Sequence, residues 1–124
     1  MTDRMPTRAL PFRSLGRQGP QVSAIGLGCM GMAGTTAAMY GVADRAEAIA
    51  TLHAALDLGI NFLDTAEVYG PYANEELLGE ALAGRRAQAF IATKFGFRII
   101  DGKVAGVDSR PENIRAVCDA ALKR

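Results

Sequence analysis

A single histidine, His53, is all the imidazole in this chain of 124 residues, so no histidine-based metal cage can be assembled from it alone. Cysteine is nearly as scarce. Cys29 stands in a glycine-rich turn and Cys118 in a late helical stretch, forming neither a C-x-x-C unit nor a disulfide framework; each is expected as a small buried side chain. An excess of one charge is missing too. The 14 Lys and Arg against 13 Asp and Glu leave a formal net charge of +1, without the basic stripe that nucleic acid or an anionic membrane would require. No apolar run is long enough to span a bilayer, and the charged opening, residues 1–8, has none behind it. These absences describe a soluble, cytoplasmic chain of one domain at most, able to bury a modest core.

What is present alternates between two periods. Residues 1–10 read as a loose leader in which Met5 could serve as a second start. A hairpin is predicted from 12–15 and 21–23 around the glycines and proline of 16–20, and a short buried strand over 24–29 breaks into a loop over 30–41. Asp44 and Glu47 form a capping box opening a helix with Ile49, Leu52 and Leu56 on one face and a stop at Gly59. His53 lies on the flank of that face and is expected to pack rather than react. A strand over 61–65 follows, then a helix capped by Asn74, with Glu75 and Glu76 in its first turn, Leu77, Leu78, Ala81 and Leu82 on its buried face, and Gly84 at its end. After a strand over 89–95 and a polar loop over 96–108, a second capping box, Ser109 to Glu112 with Pro111, opens a last helix expected to bury Ile114, Val117, Ala121 and Leu122. Strands apolar on both faces, alternating with helices, indicate a parallel sheet with right-handed crossovers.

Two constellations carry chemistry. Gly26, Gly28 and Gly31 match the dinucleotide-binding glycine pattern after a strand, but there the helix opens inside the pattern, whereas here it waits for Asp44. The acid at the end of the second strand, Asp64, also lies about twice as far on as the roughly twenty residues that pattern expects. The other constellation is Asp64, Tyr69 and Lys94. Asp64 shares a strand face with Phe62, which predicts an inward carboxylate in need of a partner. Lys94, sharing a face with Phe90 and Ala92, is the candidate. A free phenol, with a pKa near 10, is a poor acid at neutral pH; an adjacent ammonium favours the phenolate, and a carboxylate holds the ammonium. Such a phenol could protonate a carbonyl oxygen while hydride reaches the carbon. A buried salt bridge between two strands with an incidental loop tyrosine is the other meaning of the same three residues.

The segments 12–16, 22–32, 58–70, 74–79, 92–94 and 110–114, in that order, resemble the aldo-keto reductase superfamily, with the Gly-Cys-Met-Gly-Met loop ending at Tyr40-Gly41 most similar to its perakine reductase and auxin-induced reductase-like branch. The resemblance implies an α/β fold, an eight-fold β/α barrel floored by the N-terminal hairpin. Of it this chain holds the hairpin and the first three β/α units, a single incomplete domain over 1–124. It implies NADPH as cofactor, Tyr69 as general acid tuned by Lys94 and Asp64, and a nicotinamide placed beside Gly28, Cys29, Met30 and Asp64. It implies a small carbonyl substrate, with no nucleic acid or membrane partner. The family's fourth catalytic residue, a histidine ending the fourth strand, has no counterpart here, since His53 belongs to the first helix. A barrel takes about 250 residues, so three strands are expected to leave two open edges prone to self-association and a chain without turnover of its own. A regulatory barrel like the potassium-channel β-subunits, and a Rossmann-type nucleotide binder, are the alternative functions.

Overall fold

The computed structural model describes residues 9–33 and 41–124. The leader up to residue 8 with its Met5 start, and the loop over 34–40 with Tyr40, lie outside the described residues. Strands β1 (Phe12–Ser14) and β2 (Gln21–Ser23) form the antiparallel hairpin, with Phe12 opposite Ser23. A three-stranded parallel sheet follows in the order β3 (Leu27–Gly28), β4 (Phe62–Asp64), β5 (Phe90–Ala92). Helix α1 (Arg45–Asp57) connects β3 to β4 and α2 (Ala73–Ala81) connects β4 to β5. Strands β6 (Phe97–Ile100) and β7 (Lys103–Val107) pair antiparallel, and α3 (Pro111–Ala121) comes last.

The sheet's register decides which face is the core. Leu27, Leu63 and Ile91 stand side by side, as do Gly28, Asp64 and Ala92 one residue later, so the two rows face opposite ways. The leucine row packs against α1 and α2 in one cluster with Leu52, Leu56, Leu78 and Leu82, and Leu63 is fully buried. The other face is open. Phe62 and Phe90 meet there with ring centroids 5.8 Å apart and remain part exposed, and the Asp64 side chain is 47% exposed. The inward burial expected of Asp64 is therefore corrected: among the described residues no layer covers its row, and the carboxylate stays half exposed.

Local chemistry explains both ends of α1. The Asp44 carboxylate accepts the Glu47 N–H at 2.7 Å and caps α1. At the other end the Gly59 N–H bonds to the Leu56 carbonyl and the Ile60 N–H to that of Ala55, the paired bonds of a Schellman turn, with Gly59 at φ 89° where a side chain would be strained. His53 Nε2 lies 2.7 Å from the Ala81 carbonyl and ties α1 to α2, a packing role as expected. Asn61, just before β4, bonds to Ser23 and Gln21 and fastens the hairpin to the N-terminal end of the sheet, where a barrel floor belongs.

Several expectations are corrected. The strand over 24–29 shrinks to two residues, those over 61–65 and 89–95 to three each, and Ile25 is 58% exposed. Asn74 is not a cap. It lies inside α2, which ends at Ala81 rather than Gly84 and begins after Tyr72, a residue with φ 68° and no side-chain cap. The polar loop over 96–108 is the β6–β7 ribbon. Its turn residues Asp101 and Gly102 both have positive φ, 48° and 72°, the backbone of the two-residue turn that Asp-Gly favours. Ser109 does not cap α3, whose N-cap Arg110 makes no side-chain capping bond. Asp108 organises that corner instead, accepting from Arg110 Nε at 2.9 Å while its carbonyl receives Asn113 Nδ2; the guanidinium hydrogen bonds pull its carboxyl down to about 2. Of the four residues expected to be buried on α3, only Val117 is; Leu122 is 80% exposed, and Cys118 is exposed rather than buried.

Leu63→Ala is expected to lower the unfolding free energy by about 2–5 kcal/mol, the range for emptying a packed leucine site. Phe62→Ala on the open face should lower it by less. Urea unfolding of both variants checks this, and a larger loss for Phe62→Ala would reverse the assignment of faces.

Candidate active site

Parallel strands all end on one side of a sheet, and here the ends of β4 and β5 deliver Asp64 and Lys94 to that side. The ladder runs on past the strands, with Thr65 N–H bonding to the Ala92 carbonyl at 2.8 Å and Glu67 N–H to that of Lys94 at 3.3 Å. It holds the two ends in register while the chain turns through residues 66–69. Gly70 makes the exit possible. Its φ is 111°, and a Cβ there would lie 2.7 Å from Ala73 Cβ, so a larger residue would push Tyr69 out of place.

The lysine binds all of its neighbours at once. Its Nζ donates to Asp64 Oδ1, to the Thr65 carbonyl at 3.0 Å and to the Tyr69 hydroxyl oxygen at 3.2 Å, and lies 5.0 Å from the tyrosine ring centroid. Burial works against the ammonium, but the hydrogen bonds with Asp64 and Tyr69 outweigh it and hold the Lys94 pKa above its ordinary value. The expected trio is thus brought together. Neither charge is deeply buried, the Lys94 side chain being 49% exposed.

The residues expected near a nicotinamide divide in two ways. Gly28 pairs with Asp64 and faces the same open side, and a Cβ built on it meets nothing within 4 Å, so a flat ring could lie against that backbone. Cys29 bonds through its N–H to the Asp64 carbonyl at 2.9 Å, but its thiol is fully buried in the leucine core. Burial, with the Asp64 charge adding to it, pushes that thiol up to about 11, so only the Cys29 backbone is presented to the open face. Met30 begins a single 3-10 turn, Met30–Met32, beyond it. The glycine pattern of 26, 28 and 31 does not open a long helix, since α1 starts at Arg45; the Rossmann-type alternative is not favoured.

Three polar neighbours escaped the sequence. Asn74, fully buried in α2, receives the Thr65 hydroxyl on Oδ1 at 2.6 Å and donates Nδ2 to the Cys29 carbonyl at 2.7 Å. Glu75 beside it accepts from Thr93 Oγ1 and from Arg124 Nη1, both at 2.5 Å. Glu67, also buried, has its pKa raised by that burial, against the pull of Arg124. The available signal was Thr65 and Thr93, polar residues two places beyond Leu63 and Ile91 on the helix-facing side of their strands.

A cleft of about 640 Å³ opens on the other side of the sheet, between α2, α3 and β5, lined among others by Leu78, Leu82, Ile91 and Val117. Its lining includes Thr65 and Lys94 but not Tyr69. Among the described residues, no helix is long and apolar enough to cross a membrane, and no group of three acidic, cysteine or histidine side chains could hold a metal ion.

Comparison with known proteins agrees with this geometry. The model of the aldo/keto reductase family matches residues 24–124. Among solved structures, the chain is similar to the holo form of an aldo-keto reductase from Bacillus halodurans, with 34% identity and a TM-score of 0.75 over 92% of this chain and 36% of that one. A putative aldo-keto reductase from Pseudomonas aeruginosa shares 37% identity, with a TM-score of 0.74 over 90% of this chain and 41% of that one. Glycerol dehydrogenase from Gluconobacter oxydans shares 34% identity, with a TM-score of 0.71 over 96% and 36% respectively. The chain thus spans well under half the length of each.

Because Lys94 is held above its ordinary value, the stability it contributes is present at pH below the unfolded-state pKa and is lost as pH rises through the higher folded one. Urea midpoints of the chain should fall on the alkaline side, and Lys94→Met should show a shallower fall. Equal alkaline slopes would count against the ammonium's bonds.

Proposed function

The chain belongs to the aldo/keto reductase family, and from that premise we propose that it supplies the proton-donating corner of an NADPH-dependent reductase of aldehydes or ketones, working in the cytoplasm as part of a longer barrel. One observation supports this most. The Lys94 ammonium donates to the Tyr69 oxygen, so the phenol's own hydrogen must point away from the lysine and is left to serve an acceptor outside the trio. A carbonyl oxygen at that position would receive it. The phenolate left behind would be met at once by an ammonium already in contact, and that ammonium stays charged because Asp64 and Tyr69 hold its pKa up. Asp64 balances the charge and, with Thr65, fixes where it sits.

NADPH, when bound, supplies the hydride that the carbonyl carbon accepts. Gly28, with its open Cβ position, the Cys29 backbone, Met30 and Asp64 are the residues of this chain that would hold its nicotinamide end. Its adenosine end is assigned to strands that this chain does not carry. Asp64 and Lys94 are each about half exposed, and water between charges weakens their field several-fold relative to a closed site. For this reason the 124 residues by themselves are proposed to have no turnover, and catalysis to need the opposite wall of the barrel.

In a barrel completed with the missing strands, Tyr69→Phe should lower kcat by about 10²–10⁴-fold, the usual worth of a positioned acid, with little change in KM. Retention of full turnover would sink the assignment. The purified 124-residue chain should reduce 4-nitrobenzaldehyde with NADPH no faster than background.

A further inference from the structure

We propose that Asn74 is a positioning residue for the Asp64–Tyr69–Lys94 trio, acting through Thr65 on the lysine and through Cys29 on the wall where Gly28 lies. The proposal rests on the functional reading above but concerns geometry that can be measured without catalysis.

Asn74 is 0% exposed, and its amide reaches two strand ends at once. Its Nδ2 donates to the Cys29 carbonyl at 2.7 Å, and its Oδ1 accepts from the Thr65 hydroxyl at 2.6 Å. The orientation of the amide is fixed by chemistry, because a carbonyl can only accept and so must face the NH₂ group. Both partners border Asp64. The Cys29 N–H bonds to the Asp64 carbonyl at 2.9 Å, and Thr65 follows Asp64 directly. Thr65 is also the residue whose carbonyl takes one of the three Lys94 donors, at 3.0 Å. The peptide between Asp64 and Thr65 is thus held by Cys29 on one side and Ala92 on the other, and the Thr65 side chain is anchored from above by Asn74.

The helix brings the third member as well. The Asn74 N–H bonds to the Tyr69 carbonyl at 3.1 Å, so one residue touches the chain at Tyr69, at Cys29 beside Asp64, and at the hydroxyl of Thr65, whose carbonyl receives Lys94. A leucine at this place would fill the space as well and would leave Thr65 and Cys29 each with an unmatched polar atom. An amide is the group that can both give and take here, which accounts for a fully buried asparagine in the first turn of an amphipathic helix.

The test reads the Lys94 ammonium directly. The sequence contains three lysines, Lys94, Lys103 and Lys123, so ¹⁵N-lysine labelling of the 124-residue chain gives three Nζ signals, with Lys94 assigned by Lys94→Arg. In the parent chain Lys94 should show the slowest Nζ–H exchange of the three. Thr65→Val, which keeps the shape and removes the donor to Asn74, should speed that exchange by about tenfold, the factor that a hydrogen bond of ~1.4 kcal/mol represents. Thr65→Ser, which restores the hydroxyl, should restore slow exchange. Thr65→Ala reads the same signal if the valine variant does not fold. Slowest exchange at another lysine, or unchanged Lys94 exchange in the folded variant lacking the hydroxyl, overturns the proposal. A purely structural role would lower the urea midpoint of Thr65→Val and leave the Lys94 signal where it was. Failure here would leave the acid role of Tyr69 standing, since that is decided by turnover in Tyr69→Phe.

Discussion

An ammonium has three N–H donors, and those of Lys94 go to a carboxylate, a backbone carbonyl and a phenol oxygen. The carboxylate supplies opposite charge, the carbonyl supplies direction, and the phenol oxygen takes the third donor. Because the carbonyl belongs to Thr65, the lysine's direction is set by the end of β4. Strand pairing between β4 and β5 therefore controls the geometry of the trio: a slip of one residue would turn Lys94 to the helix side and Asp64 away from it. The register of Asp64 against Ala92 is as much a part of the site as the side chains.

That register also explains what the sequence could and could not disclose. The trio was legible because strands at barrel spacing end in an acid and a lysine, with a tyrosine five residues past the acid, and a strand's period is too rigid to place Lys94 anywhere but on the Asp64 face. Helix α1 was legible because Asp44, Glu47 and Gly59 are local signals for local bonds. What is not legible is a partner chosen by helix-to-strand packing rather than by strand register. Asn74 looks like a cap by propensity, yet two strand ends needing an amide outbid the helix terminus for it. Ser109 lost to Asp108 in the same way, because Arg110 and Asn113 both turn back to that aspartate. The polar-loop reading of 96–108 passes over the strand formers Phe97, Ile99, Ile100, Val104 and Val107 of the β6–β7 ribbon, which the Asp101-Gly102 reversal joins.

Burial follows from what covers each face. The apolar row of Phe62 and Phe90 reads as core by composition, and in a closed barrel it would be. Among the described residues, the leucine row against the helices is the one covered face of the three-stranded sheet, and Ile114 and Cys118 on α3, with Leu122 at its end, line a cleft. A wall of this kind is stable on its outside and unfinished on its inside, and the Asp64 and Lys94 charges stand on the unfinished side.

The ribbon between Lys94 and α3 has its own geometry. The Asp108 N–H bonds to the Gly96 carbonyl at 2.9 Å, so the backbone leaves the barrel wall and comes back to it at one knot. The residues between those two form a ribbon closed at its base by that bond. Such a closed stalk is a place where length and composition can drift between relatives, reshaping the rim of the mouth, while the ammonium two residues upstream keeps its station.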